Sequence, residues 1–311
     1  MNFIDFQSKF GSEEDIVQHY INLRYNGAPT CPHCKSIQVY HKKDRRRVFH
    51  CASCKNTFSI FTGTIFENTH TDLRKWFYAI HLFLNAKKGI SGMQLQREIS
   101  GSYRTAWRML RQIRTAMRSE DMSTYFQTVV EIDETYVGGK PRPFKVTLDD
   151  NGEIIKNKRG RGTNKTPVIG VIDRDNKKVH AKVAMPNKDG KKLTGKQLLG
   201  ILNEVAKKGI TVMTDEFRGY NILSRSGFIH LKVDHSSKQY SNGDIHTNSI
   251  ESFWATFKRG IYGTYHSISI KYMQLYVNEF CWRYNNRLQS NMFDLLLSRT
   301  ILPRTENFPA I

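Results

Sequence analysis

Two pairs of cysteines constrain the fold of the N-terminal part of this chain more than any other feature. Cys31 and Cys34 form the first pair, Cys51 and Cys54 form the second, and 16 residues separate the pairs. A CxxC turn directs both thiolates at one ion, and four thiolates complete the tetrahedral shell of Zn²⁺. Alternating residues at 39–41 and 48–50 predict the two strands of a hairpin between the pairs. The pattern indicates a zinc ribbon with a structural Zn²⁺ ion, and a redox-active or disulfide-forming CxxC is the alternative.

The charge balance indicates a polyanionic partner. The 311 residues carry 48 basic and 28 acidic side chains, a formal net charge of +20. The excess positive charges repel one another, and binding to double-stranded DNA would relieve that repulsion. An anionic membrane is the alternative polyanionic partner. The first ten residues do not resemble a signal peptide, and no apolar stretch is long enough to span a bilayer. We therefore expect no membrane association and a soluble, cytoplasmic protein, nucleoid-associated if its source is prokaryotic.

Three helical patterns follow the cysteines, and the third is basic. Apolar residues recur at helical spacing from Asp72 to Asn85, Ser91 is placed to cap a second helix, and a turn at 101–102 precedes a third. We expect a helix-turn-helix DNA-binding domain, although an ordinary three-helix bundle with a solvated basic face would show the same pattern. A basic run in the ribbon hairpin is either a solvated tip or a phosphate contact. The side chains expected to contact DNA phosphates are those of Lys43, Arg45, Arg46, Arg104, Arg108, Arg111 and Arg114.

The pattern changes to strands after residue 122. Residues 128–133 and 210–215 are rich in β-branched side chains and each end in aspartate, whereas 168–173 and 178–183 predict a hairpin. A helix is predicted over 194–208, and residues 140–165 form a long basic insertion. We predict a multidomain α+β protein with an N-terminal helix and zinc ribbon (1–64), a helix-turn-helix domain (65–122), a mixed α/β catalytic domain (123–300) and a C-terminal tail (301–311).

Three acidic residues are placed where they could hold metal ions. Asp133 and Asp215 each end a predicted strand, and strand ends are where an open α/β sheet presents its chemistry. Glu251 opens a helix, and Lys258 lies two turns further along the same face. Two or three carboxylates suit a pair of Mg²⁺ ions in phosphoryl transfer. A capping box formed by Asn248 and Glu251 is the alternative interpretation of the helix start. The acids that follow the two aspartates, and that are expected to point away from them, are Glu134 and Glu216.

The acids and the residues around them resemble one family. Asp133, Asp215 and Glu251, with 35 residues between the last two, resemble the DDE signature of transposases and retroviral-type integrases. The flanking sequences, IDETYVGGK at 132–140 and HTNSIESFW at 246–254, resemble the zinc-ribbon insertion-sequence transposases of the ISXO-like type. The similarity extends from the first cysteine pair to about Arg287 and therefore covers nearly the whole chain.

The resemblance implies a ribonuclease H-like catalytic domain, whose mixed sheet places the two aspartates on neighbouring strands and the glutamate on a nearby helix. In such an enzyme Asp133, Asp215 and Glu251 bind catalytic Mg²⁺ or Mn²⁺, and Lys258 contacts a phosphate near the cut. The implied reaction is attack by water at the ends of a mobile element, followed by attack of the freed 3′-hydroxyl on target DNA. Pairing of two DNA ends implies a homodimer or a higher oligomer.

Several assignments stay open. Asn248 lies three residues before Glu251 and competes with it for the third ligand position, although a carboxylate binds Mg²⁺ better than an amide does. His246 either assists proton transfer or hydrogen-bonds the backbone, and Arg259 is expected to contact DNA. Two other functions fit the same residues. One is a DNA-binding regulator on an inactive catalytic fold, and the other is a nuclease that cuts DNA without joining it.

Overall fold

The computed structural model describes residues 1–42, 47–118, 126–138, 165–186, 193–233 and 246–301. Two compact units account for these residues: Met1–Arg118 with the C-terminal segment from Leu288, and a second unit from residue 119 to Arg287. Several predictions fall outside the described residues. These are the basic insertion up to residue 164, the tail beyond 301, and the hairpin residues Lys43, Arg45 and Arg46.

Two helices begin the first unit. Helices α1 (Phe3–Lys9) and α2 (Glu13–Tyr25) each start with a capping box, which satisfies N–H groups that a helix start leaves unpaired. In α2 the Ser12 hydroxyl accepts a hydrogen bond from the Asp15 N–H at 3.1 Å, and Asp15 Oδ2 accepts one from the Ser12 N–H at 2.9 Å. Asn26, in the left-handed conformation, ends α2.

A three-stranded antiparallel sheet follows α2. Its strands lie in the order β1 (Val39–His41), β2 (Val48–Cys51) and β3 (Thr57–Ser59). The hairpin predicted from residues 39–41 and 48–50 is confirmed, with Tyr40 opposite His50. Strand β3 was not predicted, because three residues are too few to show a period of two. The sheet itself buries little more than Phe49 and Phe58.

Three further helices complete the N-terminal part. Helices α3 (Leu73–Asn85), α4 (Gly92–Ile99) and α5 (Tyr103–Ala116) are capped by the side chains of Asp72, Ser91 and Ser102. The three predicted helices are confirmed, as is the capping role of Ser91. Helix α3 packs on α2 as well as on α4 and α5. The predicted boundary between residues 64 and 65 therefore does not separate two compact units.

A five-stranded mixed sheet forms the centre of the second unit. In chain order its strands are β4 (Val130–Val137), β5 (Thr166–Asp173), β6 (Lys178–Val183), β7 (Thr211–Thr214) and β8 (Ile229–Lys232). They lie in the order β6-β5-β4-β7-β8. Strand β5 is antiparallel to both of its neighbours, β6 and β4, whereas β7 and β8 run parallel to β4. The predicted hairpin and the two predicted aspartate-containing strands are thus confirmed; β8 was not predicted.

Helices pack on both faces of this sheet. Helix α6 (Gly195–Val205), capped by Thr194, and the short α7 (Ile222–Arg225) lie on one face. Helices α8 (Asn248–Gly260) and α9 (Ile270–Asn285) lie on the other, with a π-helical segment, Ile261–Tyr265, after α8. Even-numbered β4 residues face α6 and odd-numbered ones face α8, as the period of a strand requires. In the described part of the chain, no helix combines the length and apolar character that crossing a membrane requires.

The C-terminal helix α10 (Met292–Ser298) belongs to the first unit, where it packs on α2 and α3. His19 Nε2 lies 2.7 Å from Asp294 Oδ1, and the Tyr20 hydroxyl lies 2.8 Å from Thr300 Oγ1. The chain thus returns to the first unit after Arg287, whereas the sequence-based boundary placed residues up to 300 in the catalytic domain. The reason is that the apolar side of α10 is buried in the first unit.

Candidate catalytic and metal-binding sites

The four paired cysteines lie close together in the ribbon. Their Sγ atoms all lie within 4.8 Å of one another. Cys31 and Cys54 are 3.6 Å apart, and Cys34 and Cys51 are 3.5 Å apart. Four sulfurs bound at about 2.3 Å to one tetrahedral zinc ion would be about 3.8 Å apart, so the geometry fits Zn²⁺. Among the described residues, no second group of His, Cys, Asp or Glu side chains brings its ligand atoms together in this way.

The two cysteine turns share one backbone arrangement. In each, the first cysteine's N–H donates to the carbonyl five residues on, and its carbonyl accepts from the N–H four residues on, at 2.9–3.0 Å. Lys35 and Lys55 close the turns with φ values of 63° and 61°. Hydrogen bonds, foremost that from the Cys54 backbone N–H, lower the pKa of the Cys51 thiol to about 6. A lowered pKa favours the thiolate, which is the form that binds metal.

Asp133 lies on β4, and Asp215 directly follows the neighbouring parallel strand β7. Glu131 of β4 is opposite Met213 of β7, and extending this register by two residues places Asp133 beside Asp215. Neighbouring strands are about 4.8 Å apart, and residues two apart along a strand share a face. Asp215 directly follows β7, as predicted. Asp133 does not end β4, because that strand continues to pair with β5 as far as Val137.

The electrostatic environment of Asp133 connects it with the other acids. Burial, together with the negative charges of Glu134, Asp215 and Glu251, raises the pKa of the Asp133 carboxyl to about 8. Carboxylates that share one site repel one another, and a bound cation relieves that repulsion. The charges of Asp215 and Glu251 therefore act on Asp133, although among the described residues the three carboxylates are not gathered as closely as the four thiols are.

Glu251 lies near the start of α8. The N-cap residue is Thr247, which makes no side-chain cap hydrogen bond, and Asn248 is the first helical residue. A capping box formed by Asn248 and Glu251 is therefore wrong for this helix. Instead, Glu251 Oε1 accepts a hydrogen bond from Thr247 Oγ1 at 2.8 Å. Asn248 and Glu251 are both exposed and, three residues apart, share a helix face.

Glu134 points to the other face of the sheet. Its Oε2 accepts a hydrogen bond from the Tyr220 hydroxyl at 2.8 Å, and Tyr220 belongs to the core between the sheet and α6. The prediction that Glu134 points away from Asp133 is confirmed. Glu216 is exposed. Although it points away, the charge of Glu134 contributes to the raised pKa of Asp133.

Glu131 is a buried carboxylate on the same face of β4 as Asp133, and it was not among the residues predicted from the sequence. Glu131 is 0% exposed. Its Oε1 accepts a hydrogen bond from Arg174 Nε at 2.6 Å, and its Oε2 accepts one from the Ile250 N–H at 2.9 Å. Arg174 Nη2 also donates to His246 Nδ1 at 2.7 Å and to the His246 carbonyl. The sequence contained one indication of this position: Glu131 lies two residues before Asp133, and residues two apart along a strand share a face.

Two basic residues lie near the end of α8. Lys258 is half-buried and Arg259 is exposed. Seven residues beyond Glu251, Lys258 lies about 10 Å further along the same helix face. Arg259 Nη2 donates to Thr256 Oγ1 at 3.1 Å. Helix α8 thus carries an acid near its start and two bases near its end.

The arginines of α5 differ in exposure. Arg104 is exposed and Arg108 is half-buried. Arg111 and Arg114, which were also expected to contact DNA, are only 9% and 3% exposed. The Arg114 guanidinium lies 5.3 Å from the centre of the Phe83 ring. The apolar stripe of α5 turns these two positions inward, so the structure does not support the expectation that they contact DNA.

Gly170 allows α8 to pack directly on the sheet. It lies opposite Asp133 on β5, and a Cβ atom at this position would be 2.6 Å from Cζ2 of the buried Trp254. Gly170→Ala is therefore expected to displace α8 and to lower the free energy of unfolding by about 1–3 kcal/mol, as overpacking does. Urea unfolding followed by tryptophan fluorescence would measure the loss.

Gly200→Ala is the matched control for this prediction. Gly200 lies within α6 of the same unit, and a Cβ atom there would have no neighbour within 4 Å. Alanine is a better helix former than glycine, so this variant should be about 0.5–1 kcal/mol more stable than the wild type. Equal stabilities of the two alanine variants would contradict the proposed contact between Gly170 and Trp254.

Comparisons with known proteins place both units in one family. Residues 126–285 match the ISXO2-like transposase domain, and residues 11–57 match the transposase zinc-ribbon domain. The chain is 32% identical over 267 residues, 81% of this chain and 86% of the relative, to a Halobacterium salinarum protein described as an uncharacterized protein in transposable element ISH50. It is 35% identical over 89 residues, 29% of this chain and 71% of the relative, to an uncharacterized transposase-like protein of Haemophilus influenzae.

The similarity of this chain to solved structures is low. The Mos1 transposase paired-end complex with the left transposon end has a TM-score of 0.31 and 13% identity, over 76% of this chain and 82% of that chain. The simian T-cell lymphotropic virus intasome has a TM-score of 0.32 and 10% identity, over 71% of this chain and 74% of that chain. The family assignment rests on the sequence matches, since the transposase domain spans half of the chain and the ISH50 relative most of it. This chain therefore belongs to the ISXO2-like transposase family.

Proposed function

We propose that this protein is a DNA transposase that binds the ends of a mobile element and catalyses metal-dependent DNA cleavage and strand transfer into target DNA. The observation that carries the proposal is the effect of Asp215 and Glu251 on the pKa of the buried Asp133, in a member of a transposase family. Isolated acids at strand ends are common. A buried aspartate whose pKa is raised by burial and by neighbouring carboxylates, in a basic protein, favours a catalytic site for phosphoryl transfer.

The catalytic domain that we infer is ribonuclease H-like. The sheet order β6-β5-β4-β7-β8, with three antiparallel strands followed by two parallel ones, supports this fold. So do the helices on both faces. Asp133 lies on β4, Asp215 follows the adjacent β7, and Glu251 lies on α8, which packs against β4. These positions support the ribonuclease H-like fold that we infer.

The three carboxylates fit divalent cations. Mg²⁺ and Mn²⁺ prefer oxygen ligands, and the pKa of Asp133 is raised first by burial and then by the negative charges of neighbouring carboxylates, which a bound cation would offset. Asp133, Asp215 and Glu251 would hold the ions, which supply activation of the attacking oxygen and stabilisation of the leaving oxygen in an in-line displacement. Asn248, on the same helix face as Glu251, is the alternative third ligand.

Other side chains of α8 and its N-terminal end would bind and orient the DNA. Lys258 lies on the face of α8 that carries Glu251 and would contact a phosphate near the cut, with Arg259 beside it. His246 has a different role. Because a guanidinium only donates hydrogen bonds, His246 Nδ1 accepts from Arg174 and the ring proton is on Nε2. His246 is therefore available as a donor through Nε2 and not as a base through Nδ1.

We infer that the first unit binds the DNA ends. Its zinc ribbon and the α4–α5 helix pair are elements that present basic side chains to the phosphate backbone. Arg104 and Arg108 are the predicted contacts on α5 that the structure leaves at least partly exposed. Holding two ends at once requires at least a dimer. In a prokaryotic host the protein would act at the nucleoid.

Strand transfer tests this proposal. Purified protein would be incubated with labelled DNA ends that flank its own gene, a supercoiled plasmid and Mg²⁺ or Mn²⁺. We expect cleavage at the element ends and covalent joining of the freed 3′ ends to the plasmid, with no product in the absence of divalent metal. Cleavage without joining would favour the nuclease, and DNA binding without cleavage in either metal would favour the regulator.

A further inference from the structure

Glu131 is a carboxylate buried without exposure in the centre of the sheet. A charge in such a position is costly unless it is paired and hydrogen-bonded, so its partners determine what it does. No part of the proposed chemistry uses it directly. It lies two residues before Asp133 on β4, on the face that packs against α8. Its position makes it a link between the strand and the helix that carry the acids.

One Glu131 oxygen caps the start of α8. Oε2 accepts from the N–H of Ile250, one of the first N–H groups of the helix, which have no acceptor within the helix itself. Negative charge at a helix N-terminus is also favoured by the helix dipole. Thr247, the N-cap residue, makes no side-chain cap hydrogen bond, and its hydroxyl donates to Glu251. The cap of α8 therefore comes from the neighbouring strand.

The other oxygen connects Glu131 to the segment that leads into α8. Oε1 accepts from Arg174 Nε at 2.6 Å, and Arg174 Nη2 donates to both Nδ1 and the carbonyl of His246. Arg174 itself is fixed at the end of the β5 strand, where its N–H donates to the carbonyl of Val129. The guanidinium thus joins β4, the β5 end and the last residues before the helix.

We propose that Glu131, together with Arg174, is a positioning residue that holds the N-terminus of α8 so that Glu251 stands beside Asp133 and Asp215. The proposal rests on the proposed function for the role of those three acids. Glu251 directly follows Ile250, and Cα atoms of consecutive residues are about 3.8 Å apart. Asp133 is about 7 Å along the strand from Glu131. One carboxylate therefore ties the helix that bears one acid to the strand that bears another.

Glu131→Gln tests the proposal with two independent measurements. Glutamine keeps the size of the side chain, but its single amide oxygen can replace only one of the two acceptors that Arg174 and the Ile250 N–H need, and the charge at the helix start is lost. In the metal-free protein we expect amide hydrogen exchange to increase in peptides covering 248–253. With Mg²⁺ or Mn²⁺ we expect cleavage to slow by about 10–100-fold, the usual effect of losing a side chain that orients a metal ligand. DNA binding should not change.

Glu279→Gln is the matched control. Glu279 is also 0% exposed and also pairs with an arginine, Arg283, at 3.0 Å, but it lies on α9. This variant should increase exchange in α9 and leave residues 248–253 protected. If Glu131→Gln does not fold, Arg174→Lys replaces it, since one ammonium group cannot span Glu131 and His246 as the guanidinium does. That variant should increase exchange at 246–250 and slow cleavage.

Unchanged exchange at 248–253 together with unchanged cleavage would overturn the role of Glu131. So would an increase in exchange spread over the whole unit, because that pattern reports general destabilisation and not the anchoring of α8. A wild-type protein inactive with either metal would instead overturn the proposed function. The exchange comparison would then still decide whether Glu131 holds α8, so the two failures are distinguishable.

Discussion

Asp133→Asn is expected to reduce DNA cleavage and strand transfer by about 10³-fold or more, equivalent to about 4 kcal/mol of transition-state stabilisation. Asparagine has nearly the same size as aspartate but offers a neutral amide, and Mg²⁺ and Mn²⁺ bind carboxylates more strongly than amides. The rates would be measured on uncut ends and on pre-cut ends carrying a free 3′-hydroxyl. Affinity for the ends, measured by gel shift, should be retained.

The same substitution is expected to stabilise the protein when no divalent metal is added. Burial and the neighbouring carboxylates raise the pKa of Asp133 to about 8. The folded state therefore binds a proton that the unfolded state has released, and stability falls as pH rises from about 4 to about 8. Asparagine cannot ionise and removes this loss. Its advantage in unfolding free energy should grow over this pH range to a few kcal/mol, measured by urea unfolding at about pH 5 and about pH 8.

Glu204→Gln is the control for the cleavage measurement. Glu204 lies on α6 of the same unit, is exposed, and pairs with Lys182 at 2.6 Å. Its loss should leave cleavage unchanged, because exposed ion pairs contribute little. If Asp133→Asn kept nearly full activity, Asp133 would not be a metal ligand. If the variant lost both activity and stability, misfolding, and not the loss of a metal ligand, would explain the lost activity.

Two further variants decide the third ligand. Glu251→Gln should lose as much activity as Asp133→Asn, whereas Asn248→Ala should keep most of it, because the carboxylate is the better ligand for a hard cation. The reverse result would move the third position to Asn248. Both side chains are exposed on one face of α8, so neither substitution should disturb the fold.

Structural features that depend on residues close together in the chain could be predicted from the sequence. The cysteine turns depend on four-residue spacings, and the β5–β6 hairpin and the cap of α6 by Thr194 depend on local patterns. The position of α10 could not be predicted, because its contacts join residues such as His19 and Asp294 that are 275 residues apart. The extent of β4 beyond Asp133 depends on pairing with β5, which is also absent from the local pattern.

The candidate site likewise contains residues that could be predicted from the sequence and residues that only the folded structure identifies. Asp133, Asp215 and Glu251 were recognisable because strand and helix patterns and a family resemblance agreed on them. The carboxylate of Glu131 was not selected, because its partner Arg174 lies 43 residues away and only the folded chain brings them together. The burial of Arg111 and Arg114 was missed for a related reason. A basic residue beside the apolar stripe of a helix is exposed or covered according to what packs next to it.

Cys51→Ser is expected to remove the zinc ion and unfold the ribbon. Strands β1, β2 and β3 have three, four and three residues, and the sheet buries little apolar surface of its own, so it cannot be stable without a further link. A structural zinc ion contributes about 10–16 kcal/mol to folding in small zinc-finger peptides. Packing within this small sheet could not supply a comparable free energy. Metal analysis should show the loss of one zinc per chain, and hydrogen exchange should show loss of protection at 47–59.

Cys281→Ala separates the effect of the zinc ligand from that of losing any cysteine. Cys281 is buried in the core of the second unit, where burial raises the pKa of its thiol to about 12 and keeps it protonated. This variant should keep its zinc and the protection of the ribbon. We also expect Cys51→Ser to weaken binding to element ends, because the ribbon belongs to the unit that we infer binds them. A ribbon that stayed folded after losing zinc would show that its sheet is stable by packing alone and that the four thiols have another role.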